Sequence, residues 1–215
     1  MKLLSIFVGR PREIEYQGRV ITTGIFKEET SGPAKVGALN IEGDQQADLK
    51  VHGGPNKAVY AYPIEHYDFW KANRPDLTFH AGIFGENLSV SGFKETAVCI
   101  GDTYRFGEAV TFQVTSPRMP CSKLGMKMND NHFIKEFMEA RKNGFYFKVL
   151  TEGEISPGDE AVKVSEDGHG LTVDEVIQLY TTHKQDSGLL EKALAAPHLP
   201  EDWKEHFQKA LAKLK

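Results

Sequence analysis

The sequence predicts a mainly β fold, a barrel or sandwich of short strands with a few helices, followed by a small C-terminal three-helix bundle. Over the first two thirds, short segments rich in β-branched and aromatic residues are bounded by Gly, Pro, Asn or Asp. After Gly170 the apolar pattern changes to a helical period. We therefore predict a β domain at residues 1–168 and a helical domain at 169–215.

Eight segments have the composition of strands. In order they are KLLSIFV, VYAYP, NLSVSG, AVCIGD, TYRFG, VTFQVTS, FYFKVLT and AVKVSE. Many short strands at regular spacing are typical of closed or two-layered β architectures.

Two helices are predicted within the β domain. The segment PIEHYDFWKAN has Pro63 at the first helical position and stops before Pro75. The segment NDNHFIKEFMEARKNG starts at Asn129 or Asp130 and stops at Gly144.

Three short helices are predicted in the C-terminal domain. Thr172 and Glu175 have capping-box spacing, and a second helix ends before Pro197. The last helix carries an apolar stripe of Trp203, Phe207, Leu211 and Leu214. Because about 45 residues make only a small core, we expect this bundle to dock on the β domain or on a second subunit, as in a homodimer.

The composition limits the possible partners and the compartment. Lys and Arg total 26 against 30 Asp and Glu, and this net charge of −4 argues against nucleic-acid binding. No apolar run approaches the roughly 20 residues of a membrane span, and we interpret the N-terminus as a strand, so neither a membrane protein nor a signal peptide is expected. Two cysteines cannot build a disulfide framework or a cysteine-ligated iron–sulfur cluster, and they favour a cytoplasmic protein.

The two cysteines have different surroundings. Cys99 lies between Val98 and Ile100, so we interpret it as a small core residue on a strand.

Cys121 follows Pro117 and Pro120, which keep the preceding backbone out of a regular helix. Its cationic neighbours are Arg118, Lys123 and Lys127. Positive charge stabilises a thiolate, the form that attacks electrophiles and binds soft metals. Cys121 is therefore a candidate functional thiol, and an exposed loop cysteine with chance basic neighbours is the alternative.

A second candidate is the segment GDQQADLKVHGGPNKAVYAY, residues 43–62. Asp48, Lys50 and His52 alternate, so on a strand they would share one face. Gly53 and Gly54 then predict a tight turn whose backbone N–H groups, together with nearby lysines such as Lys57, suit an oxyanion. A surface hairpin with solvated lysines is the alternative.

A third candidate is Asn87, in HAGIFGENLSVSG. Its amide could face a ligand, or it could cap the turn before the strand.

Taken in order, GDQQADLKVHGGPNKAV, FGENLSVSG and SPRMPCSKLG resemble the MOSC family, named after the C-terminal part of molybdenum-cofactor sulfurases. The pattern of residues 169–215 is similar to the three-helix domain of the YiiM-like members of that family.

The resemblance implies a MOSC-type β-barrel that binds a molybdenum cofactor, molybdopterin. It implies that Cys121 is the metal ligand and a catalytic residue. The residues implied in cofactor binding are Gly53, Gly54, Lys57, Asn87 and Arg118. His52 is a candidate catalytic proton donor.

The implied activity is reduction of N-hydroxylated small molecules, such as hydroxylaminopurines, in a detoxifying role. The 215-residue sequence shows no flavin or iron–sulfur motif. A separate reductase is therefore the expected electron donor. The alternatives are a sulfur carrier or cofactor-handling protein without turnover of its own, and a module that only binds a phosphorylated pterin.

Overall fold

The computed structural model describes residues 1–47 and 53–214, and its largest element is one eight-stranded sheet. The strands are β1 Lys2–Val8, β2 Arg12–Tyr16, β3 Arg19–Thr23, β4 Glu28–Glu29, β5 Ala34–Val36, β6 Val59–Pro63, β7 Leu88–Ser91, β8 Thr103–Phe106, β9 Val110–Pro117, β10 Phe145–Thr151, β11 Gly153–Ile155 and β12 Ala161–Ser165. Across the sheet the order is β12, β8, β9, β10, β6, β7, β1, β4, and all neighbours are antiparallel except β6 and β7. The hairpin β2–β3 and the pair β5–β11 stand outside it.

The predicted barrel is not formed in the part of the chain that the structure describes, because the eight-stranded ladder is open. Near β12, at one end of the ladder, the chain approaches β1, the strand next to the other end, at an isolated bridge between Lys2 and Glu160. The Leu3 N–H donates to the Asp159 carbonyl at 2.9 Å. The Ala161 N–H at the start of β12 also donates to the Met1 carbonyl at 3.1 Å, but among the described strands β12 forms a ladder only with β8. The architecture is therefore a large open sheet with several helices.

Six α-helices accompany the strands in the described ranges. They are α1 Glu65–Asn73, α2 Ser122–Met128, α3 Phe133–Ala140, α4 Val173–Gln178, α5 Ser187–Ala195 and α6 Glu201–Ala212. None of them is long and apolar enough to cross a membrane.

The two helices predicted within the β domain, α1 and α3, are present, but their ends differ from the predicted ones. Pro63 ends β6, so α1 begins two residues later. Asp130 accepts the His132 N–H at 2.9 Å in a turn that delays α3 to Phe133. That helix stops at Arg141, which has a left-handed φ of 54°, rather than at Gly144.

Helix α2 directly follows Cys121 and was not predicted. Gly125 lies in its middle, and glycine disfavours a helix in the sequence. In the structure, a Cβ at Gly125 would come within 3.0 Å of Asn131 and 3.1 Å of Ile134. The glycine therefore allows α2 to pack closely against the start of α3.

The predicted strand around Cys99 is also wrong. Cys99 lies between two turns, and it forms only an isolated bridge with Thr172. Its N–H donates to the Asp102 carboxylate at 3.0 Å. It is half-buried rather than part of the core.

The C-terminal helices pack on the sheet. Side chains of α4, α5 and α6, including Val176, Leu190 and Phe207, belong to the same continuous apolar core as the sheet. The Val173 N–H donates to the Val98 carbonyl at 2.9 Å, which joins the two parts through the backbone. Docking on the β domain is therefore the outcome that the structure shows.

A second, aromatic core lies on the other side of β6, among α1, α2 and α3. It includes Tyr60, Tyr62, Trp70, Phe84, Phe133 and Phe137. The loop before Cys121 lies next to this core, because Tyr60 contacts Arg118.

Candidate functional site

A cleft of about 580 Å³, including its open mouth, brings together the three separate sequence segments that the sequence analysis selected. The lining residues are Thr23, Gly24, Ile25, Lys27, Asp44, Gln45, Gln46, Ala47, Lys57, Tyr60, Gly85, Asn87, Arg118, Cys121, Lys123 and Tyr146. Of the predicted site residues, Lys57, Asn87, Arg118 and Cys121 line this cleft. Gly53 and Gly54 are not among the lining residues, and His52 lies outside the described residues.

Cys121 is held at the junction of the proline-containing loop and α2. Its backbone is extended, with φ −130° and ψ 173°, and it is the residue immediately before the first turn of the helix. Its carbonyl accepts the Leu124 N–H at 2.9 Å. The side chain is half-buried and is not in a disulfide. The sequence thus places a thiol on a defined backbone at the cleft wall.

Arg118 places a buried positive charge in the wall of the cleft that also carries the thiol. The residue is 6% exposed, and its Cζ lies 5.4 Å from the centre of the Tyr60 ring. Burial lowers the pKa of Arg118, but Tyr60, Tyr146 and Cys121 raise it, and the net shift is upward. None of the ion pairs between described residues involves Arg118. A buried cation in these surroundings favours an anion in the cleft.

An ion pair between Lys27 and Asp44 forms another part of the wall, and sequence reasoning missed it. Burial lowers the pKa of Lys27, and the contact with Asp44 partly offsets this effect. The second Asp44 oxygen accepts the Asn87 side-chain N–H at 2.9 Å. Lys27 and Asp44 are ordinary charged residues in the sequence, so only the fold reveals their proximity.

Asn87 is a brace within the protein. It is buried, its Oδ1 accepts the Tyr60 N–H at 3.1 Å, and its Nδ2 donates to the Phe7 carbonyl as well as to Asp44. These bonds tie β1, β6 and the Asp44 loop together behind the cleft. These contacts are neither a ligand contact nor a cap of the turn before the strand, and a ligand contact of Asn87 stays a prediction.

Lys57 extends from a short 3-10 helix, Pro55–Lys57, that begins at a glycine turn. Gly54 has a φ of 90°, a left-handed value that favours glycine, so the predicted turn is present. The Lys57 Nζ lies 3.7 Å from a carboxylate oxygen of Asp202 on α6. The C-terminal domain therefore reaches a residue of the cleft.

Lys127 on α2 fixes two cleft-forming loops from behind. Its Nζ donates to the carbonyls of Ile25, at 3.0 Å, and Gly82, at 2.8 Å. Burial lowers the pKa of Lys127 to about 8, although the carboxylate of Glu86 counteracts this effect. The sequence showed Lys127 as a loop cation near Cys121, and the structure shows it as a buried cross-link.

The donor set fits an anionic cofactor that carries a soft metal. A thiol from Cys121 is the ligand type that soft metals select. The ammonium groups of Lys57 and Lys123 and the guanidinium of Arg118 supply the positive charge that a phosphate requires.

Comparison with known proteins agrees with this architecture. The model of the MOSC domain matches residues 48–162, and the model of the YiiM-like, 3-alpha helix domain matches residues 171–214. The chain therefore belongs to the MOSC family.

Individual relatives include bacterial and fungal proteins. The uncharacterized protein YflK of Bacillus subtilis (strain 168) is 40% identical over 209 residues, which are 96% of this chain and 93% of YflK. A protein named Reductase of Gibberella moniliformis (strain M3125 / FGSC 7600) is 35% identical over 160 residues, which are 73% of this chain but 28% of that protein. The crystal structure of YiiM from Geobacillus stearothermophilus has a TM-score of 0.82 and 35% identity, with 98% of each chain covered.

Proposed function

We propose that the protein is a molybdenum-cofactor-dependent reductase of N-hydroxylated compounds, such as hydroxylaminopurines, with a detoxifying role. The observation that carries the proposal is the presence of Cys121 and a buried Arg118 in the wall of one cation-lined cleft. A soft thiolate next to positive charge matches a metal cofactor with an anionic tail.

The relatives support reductive chemistry. MOSC domains are associated with molybdenum-cofactor binding in general, and the fungal relative carries the name Reductase. A chain similar to this one forms 28% of that longer fungal protein, so such a chain can be one part of a larger protein with that name.

In this proposal, three residues of the cleft act directly on the cofactor. Cys121 donates a thiolate to the metal, while Arg118 and Lys57 hold the anionic part. When bound, the cofactor supplies two-electron redox chemistry. His52, whose structure is outside the described ranges, stays a candidate for proton donation.

The overall reaction breaks one N–O bond. An N-hydroxylated amine takes up two electrons and two protons, and it leaves as the amine and water. The electrons come from a separate reductase, which the chain must meet as a partner.

The direct test is activity with an artificial electron donor. Protein purified from a host that makes molybdenum cofactor is mixed with a hydroxylaminopurine and dithionite-reduced methyl viologen, and amine formation is followed by chromatography. We expect turnover that is lost in Cys121→Ser and kept in Cys99→Ser. Molybdenum-loaded protein without turnover on any N-hydroxylated substrate would contradict the reductase and favour a carrier or cofactor-handling role.

A further inference from the structure

The backbone of Arg118 is fixed on both sides by one turn, Asn143–Gly144, between α3 and β10. The Asn143 Nδ2 donates to the Arg118 carbonyl at 2.9 Å. The Arg118 N–H donates to the Gly144 carbonyl at 3.2 Å. Because both polar groups of the Arg118 backbone are bound, the direction in which its side chain leaves the backbone is set by this turn.

The turn is itself anchored to buried groups. The Tyr60 hydroxyl donates to the Asn143 carbonyl at 2.7 Å, and the Gly144 N–H donates to Glu95 at 3.0 Å. Glu95 is in turn bound by His66 at 2.7 Å. Gly144 has a φ of 64°, and a Cβ at this position would collide with the backbone of β6, so the turn requires glycine.

Asn143 is buried at an energetic disadvantage. It has no solvent exposure, and its Oδ1 has no hydrogen-bond partner in the described part of the protein. A buried polar atom without a partner is costly, and an apolar side chain would avoid that cost. What only the amide provides here is the donor to Arg118, together with a weaker contact to the Met138 sulfur at 3.4 Å.

Tyr60 contacts both the Asn143–Gly144 turn and the charged side chain of Arg118. Its ring lies beside the guanidinium of Arg118, while its hydroxyl holds Asn143. The same tyrosine thus contacts Arg118 at the side chain and, through Asn143, at the backbone.

We propose that Asn143 is a positioning residue that directs the Arg118 guanidinium towards Cys121 and so creates the positive potential of the cleft beside the thiol. The inference rests on the proposed anion-binding cleft, but it concerns only residues of this chain. It requires neither bound molybdenum nor a particular substrate.

The test measures that potential chemically, in cofactor-free protein. In a Cys99→Ser background, Cys121 is alkylated with iodoacetate, which is an anion, and with neutral iodoacetamide. The ratio of the two rates cancels differences in the amount of thiolate, and it reports the local charge. We expect Arg118→Met to lower the ratio about fivefold, since a unit charge at short range in a partly wet cleft has an effect of this order.

Asn143→Ala should lower the ratio about threefold when Arg118 is present, because a mobile guanidinium spends less time near the thiol. In the Arg118→Met background it should change nothing further. This non-additivity is the signature of action through Arg118. Val110→Ala, in the sheet core, is the control: it should lower the melting temperature without changing the ratio.

Two results would overturn the proposal. One is an unchanged ratio in folded Asn143→Ala, and the other is the same fall with and without Arg118. If Asn143→Ala fails to fold, the same ratio of alkylation rates is measured in Tyr60→Phe. That variant keeps the ring and removes the hydroxyl that binds the Asn143 carbonyl. A lower ratio in that variant supports the proposal, and an unchanged one overturns it. Protein that shows the non-additive ratio but never binds molybdenum would overturn the proposed function and leave this inference standing.

Discussion

Arg118 lies beside the ring of Tyr60, with its Cζ 5.4 Å from the ring centre, and the hydroxyl of the same tyrosine holds the turn that binds the Arg118 backbone. A cation next to an aromatic face is stabilised by the ring electrons. This pair places a permanent positive charge within the wall that also carries Cys121. It is the structural reason to expect that an anion binds here.

Loss of either of two cleft cations should weaken cofactor retention. Charge-assisted contacts contribute roughly 1.5–3 kcal/mol each, so Lys57→Ala and Arg118→Met should each lower retention by about tenfold or more. The measurement is bound pterin per protein after dialysis, by fluorescence of the oxidised pterin. Lys135→Ala, on an exposed position of α3, is the matched control and should retain the cofactor. Full retention in both cleft variants would place the anion elsewhere.

Lys127 should make stability depend on pH in the alkaline range. Its pKa is about 8 in the folded protein and 10.5 as the reference value, so between these pH values the unfolded chain binds a proton that the folded protein does not. The free energy of unfolding therefore rises with pH in this window, and below pH 8 the folded protein carries the full cost of burying the charge. Over the window the gain is about 2–3 kcal/mol.

The measurement is urea unfolding of wild type and Lys127→Met at pH 7, 8.5 and 9.5. The stability of wild type relative to the variant should increase at each step. The difference between wild type and Lys135→Met should stay constant. A wild-type advantage that shrinks as the pH rises would show that the charged form of Lys127 is favoured in the folded protein.

Two residues of the apolar stripe on the last helix should differ sharply in their contribution to stability. Phe207 is 1% exposed and belongs to the core shared with the sheet, whereas Leu214 is 40% exposed. Phe207→Ala should cost about 3–5 kcal/mol, and Leu214→Ala about 0.5 kcal/mol or less. Thermal and urea unfolding of the two variants measure the difference. Equal losses would mean that α6 is buried against another surface, such as a second subunit.

Most elements with a strong local signal were predictable from the sequence. The strands KLLSIFV and FYFKVLT have the predicted bounds, because their β-branched and aromatic residues coincide with burial in the sheet. The capping box of Thr172 and Glu175 is formed by both of its hydrogen bonds. In these cases, local chemistry and tertiary packing favour the same conformation.

Other elements could not be predicted because their cause is tertiary. Helix α2 contains a glycine whose advantage is the close approach of α3, which no local pattern shows. Cys99 has apolar neighbours, but Asp102 binds its backbone and draws the segment into a turn. The closure of a barrel depends on long-range strand pairing, and the end of the sheet at β12 meets β1 only at an isolated bridge rather than in a ladder.

The candidate site likewise contains residues that the sequence could reveal and residues that only the fold reveals. The unusual loop around Cys121 drew attention through its prolines and cations, and the structure places it at the cleft. Lys27 and Asp44 lie far from it in the sequence, and although Asp44 belongs to the segment 43–62, neither residue was singled out there. Asn143 follows a helix as an ordinary turn residue, and only the hydrogen bond to Arg118 reveals its connection to the site.

The central claim is that Cys121 ligates molybdenum, and metal analysis tests it most directly. Wild type, Cys121→Ser and Cys99→Ser are purified from the same cofactor-competent host, and molybdenum per chain is measured by mass spectrometry. We expect comparable molybdenum in wild type and Cys99→Ser, and loss of it in Cys121→Ser, because only Cys121 lies in the cation-lined cleft. Molybdenum in Cys121→Ser at the wild-type level would contradict the account.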